Sequence, residues 1–464
     1  MQTLTSPRTG RKFKLAATLG ALSLVLLAVP AGAQAAFEVF STTSPMTYAR
    51  NWQTSTLLPS GKVLIVGGKD GSANADNGHA ELFNPATGAF TTTGSLITPR
   101  WAATATLLST GKVLIAGGCD SLGNPSDTAE LYNPATGKFS ATAKMTAGRK
   151  YPTATLLANG NVLLAGGESG GGILRSAELY NPTAGTFTPT GQLAAARRSS
   201  LAVRLSSGKV LITGGFDGSA ALATSQLYDP VAGTFSATGE LPFGIFGGTI
   251  ALLGNGKVLV AGGTNLVDSP YVGAELYNPT TEQFTSTGSL NTGRYAHTAT
   301  VMQDGKVLFV GGVSATEYLG SAEYFNPTTG SFTPTGSMTQ VRQSATATLL
   351  SSGKVLVAGG DNGEVSQRSA EVFTPTPLPK PSKPFVKWST NKRKRVVTAT
   401  VSLVKGTTYK LTAKLGRKTK TGKCKTKGNK VTCTLAPGKG KWTFSITPHN
   451  AGGSGKVNGK AIKL

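Results

Sequence analysis

A Gly-Gly doublet closes a hydrophobic run seven times in this chain, at Gly67, Gly117, Gly166, Gly214, Gly262, Gly311 and Gly359. The intervals are 50, 49, 48, 48, 49 and 48 residues. Self-similarity at such a period marks a structure built from repeated supersecondary units, each unable to bury its own hydrophobic surface alone. Every unit holds four short β-like runs, which in the second unit are 104–108, 112–116, 129–132 and 138–142. Ser109-Thr110-Gly111 and Asn133-Pro134-Ala135-Thr136-Gly137 divide them, the chemistry of antiparallel hairpins. Four antiparallel strands repeated radially are the pattern of a β-propeller. The fold class expected is therefore all-β, with seven blades.

Composition agrees with this reading. Sixty glycines and 14% charged residues, against a usual charged share of ~25%, argue against both a helical bundle and a disordered chain. Three cysteines and three histidines leave little for a disulfide scaffold or a metal centre. The net charge of +25 is unevenly placed. Residues 380–464 carry 22 Lys and Arg and no acid, while Arg8, Arg11, Lys12 and Lys14 precede the first apolar run. The stretch between balances 20 basic against 21 acidic residues, so the charge belongs to a tail and does not mark the whole protein as a nucleic-acid binder.

A second repeated feature is an aromatic followed seven residues later by another: Phe83/Phe90, Tyr132/Phe139, Tyr180/Phe187, Tyr228/Phe235, Tyr277/Phe284 and Phe325/Phe332. With the doublets, these make residues 37–375 resemble the kelch repeat, with Phe where kelch units usually place Trp. The resemblance implies a seven-bladed kelch-type β-propeller. Its last unit stops at Phe373-Thr374-Pro375, one strand short, and Phe37 to Thr43 matches the missing piece. That segment is expected to close blade 7, removing an open edge.

The flanks complete the domain map. Residues 1–35 read as a cleaved, bacterial-type Sec signal: a basic start, an apolar stretch, Pro30, and Ala31-Gly32-Ala33 or Ala33-Gln34-Ala35 at the exit. The expectation is a secreted or surface-associated monomer with no membrane span after cleavage. The propeller occupies 36–376 and a proline-rich linker 377–384. A small basic β-sandwich follows at 385–464, with strands expected at 396–403, 408–415, 430–435 and 441–447. Cys424 and Cys433 flank a Lys/Gly turn and are expected to form a disulfide in an oxidising space. The run from Trp442 to Gly453 resembles the last strands of a fibronectin type III or immunoglobulin-like domain. The tail's charge is either a solubilising surface or an adhesive for an anionic cell-wall or surface polymer.

Two repeated positions carry opposite charges. Arg50, Arg100, Arg149, Arg197, Arg294 and Arg342 open their units, with Ile245 in the fifth; Glu81, Glu130, Glu178, Glu275, Glu323 and Glu371 open the third runs, with Gln226 in the fourth. Pairing each Glu with the Arg of the following unit leaves Gln226 opposite Ile245, so both charges vanish together, the tolerable way to lose a buried pair. Inter-blade salt bridges are the expectation.

Function is sought where the repeat varies. The residues after each opening Arg, with the loops after each doublet, should surround one mouth of the central channel. There Trp52, Trp101, Tyr151, Arg198, Phe246, Tyr295 and His297 depart from any consensus and form a candidate platform for an extracellular protein or glycan. A propeller followed by an immunoglobulin-like domain is similar to galactose oxidase, and that resemblance implies copper held by two His and two Tyr, one Tyr bonded to Cys. The histidines here are only His79, His297 and His449, no Tyr-His dipeptide occurs, and Cys119 follows a doublet. Asp70, Asn74 and Asp76 read as a solvated loop and not as a calcium site. No catalytic residue, cofactor or metal is assigned, and the reading is a non-catalytic binding or scaffold protein. The alternative is a carbohydrate-active or oxidative enzyme related to galactose oxidase.

Overall fold

The computed structural model describes residues 38–70, 75–76, 78–267 and 270–377, together with the strands between 386 and 463. The signal read at 1–35, Asn74 and most of the linker read at 377–384 lie outside the described residues. Seven four-stranded antiparallel sheets form the propeller. Blade 3 is typical, with strands Thr153–Leu156, Val162–Ala165, Ala177–Asn181 and Thr186–Pro189 in that order. The first strands of neighbouring blades touch in a closed circle, blade 7 returning to blade 1, so they line the axis.

Second strands such as Val63–Val66 and Val162–Ala165 are buried at every position. A blade lies on each side of them, which is why they read as unbroken hydrophobic runs without alternation. Seven apolar layers result, one at each blade boundary; Leu58, Leu64, Val66, Val113, Ile115 and Tyr132 form the one between blades 1 and 2. Fully burying such a side chain contributes about 1.5–3 kcal/mol, so these layers are the main cohesive term. Each repeated aromatic pair is a cross-strand contact within one blade: Phe83–Phe90 at 5.0 Å and Tyr132–Phe139 at 4.9 Å between centroids.

Val39–Thr42 pairs antiparallel with Ala370–Thr374, in register from Val39 opposite Thr374 to Thr42 opposite Glu371. This supplies the fourth strand of blade 7. Phe40 then stacks on Phe373 at 4.9 Å, repeating across the closure the aromatic pair of the other blades.

The doublets hold neighbouring blades together through the backbone. The second glycine donates its N–H to the carbonyl of the next unit's opening residue: Gly68 to Arg100 at 3.0 Å, Gly215 to Ile245 at 2.8 Å, and Gly360 to Arg50 at 2.9 Å. A Cβ at Gly67 would stand 2.5 Å from the Arg100 carbonyl oxygen, and both doublet glycines have positive φ. Close approach and left-handed backbone together demand glycine there.

The charged pairs correct the sequence-based pairing. Each Arg meets the Glu of its own unit: Arg50–Glu81 at 2.9 Å, Arg100–Glu130 at 3.0 Å, Arg149–Glu178 at 2.6 Å, Arg294–Glu323 at 2.9 Å and Arg342–Glu371 at 3.1 Å, all buried. The pairings of Glu81 with Arg100, Glu130 with Arg149, Glu178 with Arg197, Glu275 with Arg294, Glu323 with Arg342 and Glu371 with Arg50 do not form. The reason is direction: Arg50 Nη1 donates to the Gly67 and His79 carbonyls at 2.9 and 3.0 Å, carrying the guanidinium across its own sheet to the third strand. The carboxylate then accepts amide protons from the segment arriving from the preceding blade, Thr47 N at 2.8 Å for Glu81 and Ile97 N at 2.8 Å for Glu130. The pair clamps that incoming segment.

Own-unit pairing turns the shared loss at Gln226 and Ile245 into two separate losses. Buried Arg197 faces Gln226, donates to Gly214 O, Thr224 O and Thr224 Oγ1, and leaves Nε without a partner among the described residues. Burial alone lowers it to about 10, so it remains cationic at neutral pH. Buried Glu275 accepts from Ser286 Oγ at 2.9 Å, and burial raises its pKa against the pull of that bond.

The tail forms two antiparallel sheets. One runs Val386–Asn391, Val396–Ser402, Lys430–Leu435, Lys423–Lys427; the other centres on Thr408–Leu415 and Lys441–Asn450. Cys424 and Cys433 are register partners, while the Cys433 side chain lies outside the described residues. Among the described residues no helix is long and apolar enough to cross a membrane.

Candidate functional site

The clamp fixes the path of the residues immediately after the opening Arg. Two residues after each opening position the chain turns left-handed, at Trp52, Ala102, Tyr151, Ser199, Ala296 and Ser344 with φ of 51–55°, and at Gly247 with φ of 65°. Such a conformation costs a non-glycine residue of order 1–3 kcal/mol, and its recurrence in one circle is a property of the site. Backbone hydrogen bonds between blades accompany it. Ala102 N donates to Trp52 O at 3.1 Å, Tyr151 N to Ala102 O at 3.2 Å, and Ser199 N to Tyr151 O at 3.1 Å. Ala296 N donates to Gly247 O at 2.8 Å, Ser344 N to Ala296 O at 3.0 Å, and Trp52 N to Ser344 O at 3.3 Å.

This belt surrounds a cavity of about 530 Å³ at the mouth of the central channel. Its wall is made of consecutive residues from all seven blades. The belt positions contribute, as do the next residues Gln53, Ala103, Pro152, Ser200, Gly248, His297 and Ala345. Arg198, Phe246, Tyr295 and Gln343 complete the rim. The size suits a small ligand or the tip of a larger one.

Six of the seven residues singled out from sequence meet here: Trp52, Tyr151, Arg198, Phe246, Tyr295 and His297. Trp101 does not line the cavity; it supports Tyr151 at 5.9 Å edge-on and donates its indole N–H to Asp120 O at 2.9 Å. Trp52 packs on the other side of Tyr151 at 5.4 Å and is 39% exposed, an aromatic surface open to solvent. Sequence reading passed over Gln53, Ser199, Ser200, Gln343 and Ser344. The signal was present: they occupy the same offsets from the opening Arg as the aromatics, but small polar side chains do not stand out in a repeat.

Arg198 Nε lies 3.3 Å from Glu168 Oε2, Lys150 reaches the same carboxylate at 3.1 Å, and the Arg198 guanidinium sits between Tyr151 and Phe216. Asp361 accepts from Asn51 Nδ2 at 3.0 Å, Gln343 Nε2 at 2.9 Å and Gly363 N at 3.0 Å. His297 is lowered to about 3, by burial first and the nearby Arg294 charge second, and stays neutral with Nε2 beside Thr249 Oγ1 at 2.9 Å. Burial raises the Tyr151 phenol, which stays protonated. On the wall, Gln53 Oε1, His297 Nδ1 and Ser344 Oγ are buried without hydrogen-bond partners among the described residues.

The Kelch motif family model matches residues 100–146 and 294–339, within blades 2 and 6. No curated protein matches the chain. Among solved structures, a fungal alcohol oxidase of the AA5 family in complex with copper is similar, at 17% identity over 92% of this chain and 98% of that chain, with a TM-score of 0.61. At that identity the likeness shows the fold. Among the described residues no three His, Cys, Asp or Glu side chains gather as a metal site. His297 stands at the mouth, whereas His79 stacks on Tyr48 at 3.9 Å and Cys119 is a buried thiol beside Trp101 O. The chain is a seven-bladed β-propeller carrying kelch motifs.

Proposed function

We propose that this is a secreted, non-catalytic binding protein that holds a carbohydrate or a protein loop at the channel mouth. The supporting observation is convergence. The large residues that escape the repeat are spread over the ring, yet six of them, from five blades, line one cavity. Structural need does not explain Trp52 and Tyr151, because Ala102, Ala296 and Ser344 occupy the same belt position equally well. Loops carried on a rigid scaffold are where recognition concentrates. The lysine-rich tail then serves to retain the protein on an anionic cell-surface polymer, and Cys424–Cys433 staples it. The competing reading, an oxidative or carbohydrate-active enzyme, draws on the alcohol oxidase likeness and requires a donor or carboxylate constellation at this mouth.

The test is a glycan-array and cell-wall pull-down screen of the mature protein, repeated with Trp52→Ala, Tyr151→Ala and Tyr295→Ala. Removing a stacked aromatic costs about 1–3 kcal/mol, so tenfold or greater loss is expected for at least one variant. Full affinity in all three, with native melting, places the binding site elsewhere, the basic tail first.

A further inference from the structure

The belt of backbone hydrogen bonds around the mouth has one unmade link. Between blades 4 and 5 the Gly247 N–H and the Ser199 carbonyl, which the other six boundaries would join, have no hydrogen-bond partner among the described residues. Both residues line the cavity and both are partly exposed to it. The same boundary has lost its polar ties elsewhere. Ile245 replaces the clamp Arg, and Pro242 stands where Thr47, Ile97, Thr146, Ala194, Asn291 and Thr339 each supply an N–H to the clamp. Proline has no N–H to give. Gly247 and Gly248 occupy positions that blade 1 fills with Trp52 and Gln53, so neither residue puts a side chain of its own over the open backbone and a ligand can approach it.

Unpaired backbone groups out of bulk water are costly unless something meets them. Gly247 N–H can only donate, while Ser199 C=O and the buried Gln53 Oε1 can only accept; Ser344 Oγ and the neutral His297 ring take either role. A carboxylate or phosphate brings acceptors alone, and an ammonium donors alone. A hydroxyl accepts and donates through one atom, which is what an N–H and a C=O left without each other require. The one charged side chain on the wall, Arg198, is already paired with Glu168, which it shares with Lys150. Phe246, beside the gap, offers an aromatic surface for the C–H face of a ring.

We infer that the gap between Ser199 and Gly247 is a subsite for a hydroxyl of a neutral, polyhydroxylated ligand, a carbohydrate, which accepts from the Gly247 amide and donates to the Ser199 carbonyl, completing the belt. This rests on the mouth being the binding site. The experiment uses the full mature chain with glycine and tryptophan selectively labelled with nitrogen-15. The Gly247 amide and the Trp52 indole resonances are followed while neutral mono- and disaccharides, a polyether without free hydroxyls, and a Ser/Thr-rich peptide are added in turn. A saccharide that shifts both resonances saturably, the polyether leaving Gly247 unmoved, is the expected result. Gly247→Trp, the residue of the same belt position in blade 1, should weaken that saccharide about tenfold. Movement of Trp52 without Gly247 would keep the mouth as a binding site and overturn the hydroxyl subsite. Movement of Gly247 only with the peptide assigns the gap to a protein loop and overturns the carbohydrate. Silence of both resonances toward every probe defeats the subsite and the proposed function together. The wild-type Gly247 shift decides the matter even if Gly247→Trp fails to fold.

Discussion

In blade 3 the Arg149 guanidinium holds Glu178 through Nη2 at 2.6 Å and Nε at 3.1 Å, and Glu178 accepts the Thr146 amide at 2.8 Å. In blade 5 Ile245 and Pro242 take the places of Arg149 and Thr146, and among the described residues Glu275 keeps only Ser286. The two blades have the same strands and the same doublet bond to the next blade, so the clamp is not what makes a blade. Apolar packing covers the loss: Ile245 joins the layer between blades 4 and 5, and Phe243 stacks on Tyr271 at 4.2 Å. Apolar replacement of a buried ion pair is often neutral, whereas removal of one partner is not. Blade 5 illustrates the first case on its cationic side. Blade 4, where Arg197 survives beside Gln226, illustrates the second.

Three measurements would break or sharpen this contrast. The largest effect is expected from Glu178→Ala, which strands a fully buried Arg149 and should remove about 3–5 kcal/mol of stability in denaturant unfolding. A loss below that of a surface substitution would mean that the clamp is dispensable even where intact. A smaller change of opposite sign is expected from Gln226→Glu. Supplying Arg197 with a carboxylate should add about 1.5–3 kcal/mol, the range for a hydrogen bond to a charged group. Destabilisation there would show that Arg197 is already satisfied in solution.

The smallest effect concerns Glu275. Its folded pKa is raised by burial, so the folded state retains a proton that the unfolded chain gives up. Its contribution is therefore fully present below the ordinary carboxylate pKa and is lost as pH rises through the raised value. Stability of the wild type should fall over that window relative to Glu275→Gln, which cannot ionise. Parallel pH profiles for the two proteins would place Glu275 in contact with water or with an unrecognised partner.

Much of the architecture was legible because each repeated residue has one dominant physical job. The doublets, the Asn-Pro turns and the apolar second strands repeat because backbone approach, turn geometry and burial are the same in every blade. Asn133 Oδ1 accepting Ala135 N at 3.0 Å is one such turn, and Asn278 accepting Thr280 N at 3.0 Å another. Trp52, Tyr151 and His297 were legible for the opposite reason: large side chains at offsets that other blades fill with Ala, Ser or Gly.

The partner of each Arg was not legible. Glu81 lies 31 residues after Arg50 and 19 before Arg100, and a periodic chain makes both pairings equally regular along the sequence. Only the course of the guanidinium across its own doublet decides between them, and that course depends on where the sheet places the Gly67 carbonyl. The belt was hidden for the same kind of reason, since its bonds join backbones some fifty residues apart and leave no mark on side-chain identity. Sequence by itself determined the number of blades, their strands and six of the residues gathered at the mouth, because periodic burial and turn chemistry are local. Tertiary structure alone decided which charges meet and which backbone link stays open, because the first depends on where a sheet carries each guanidinium and the second on distances between blades, neither of which a repeat encodes.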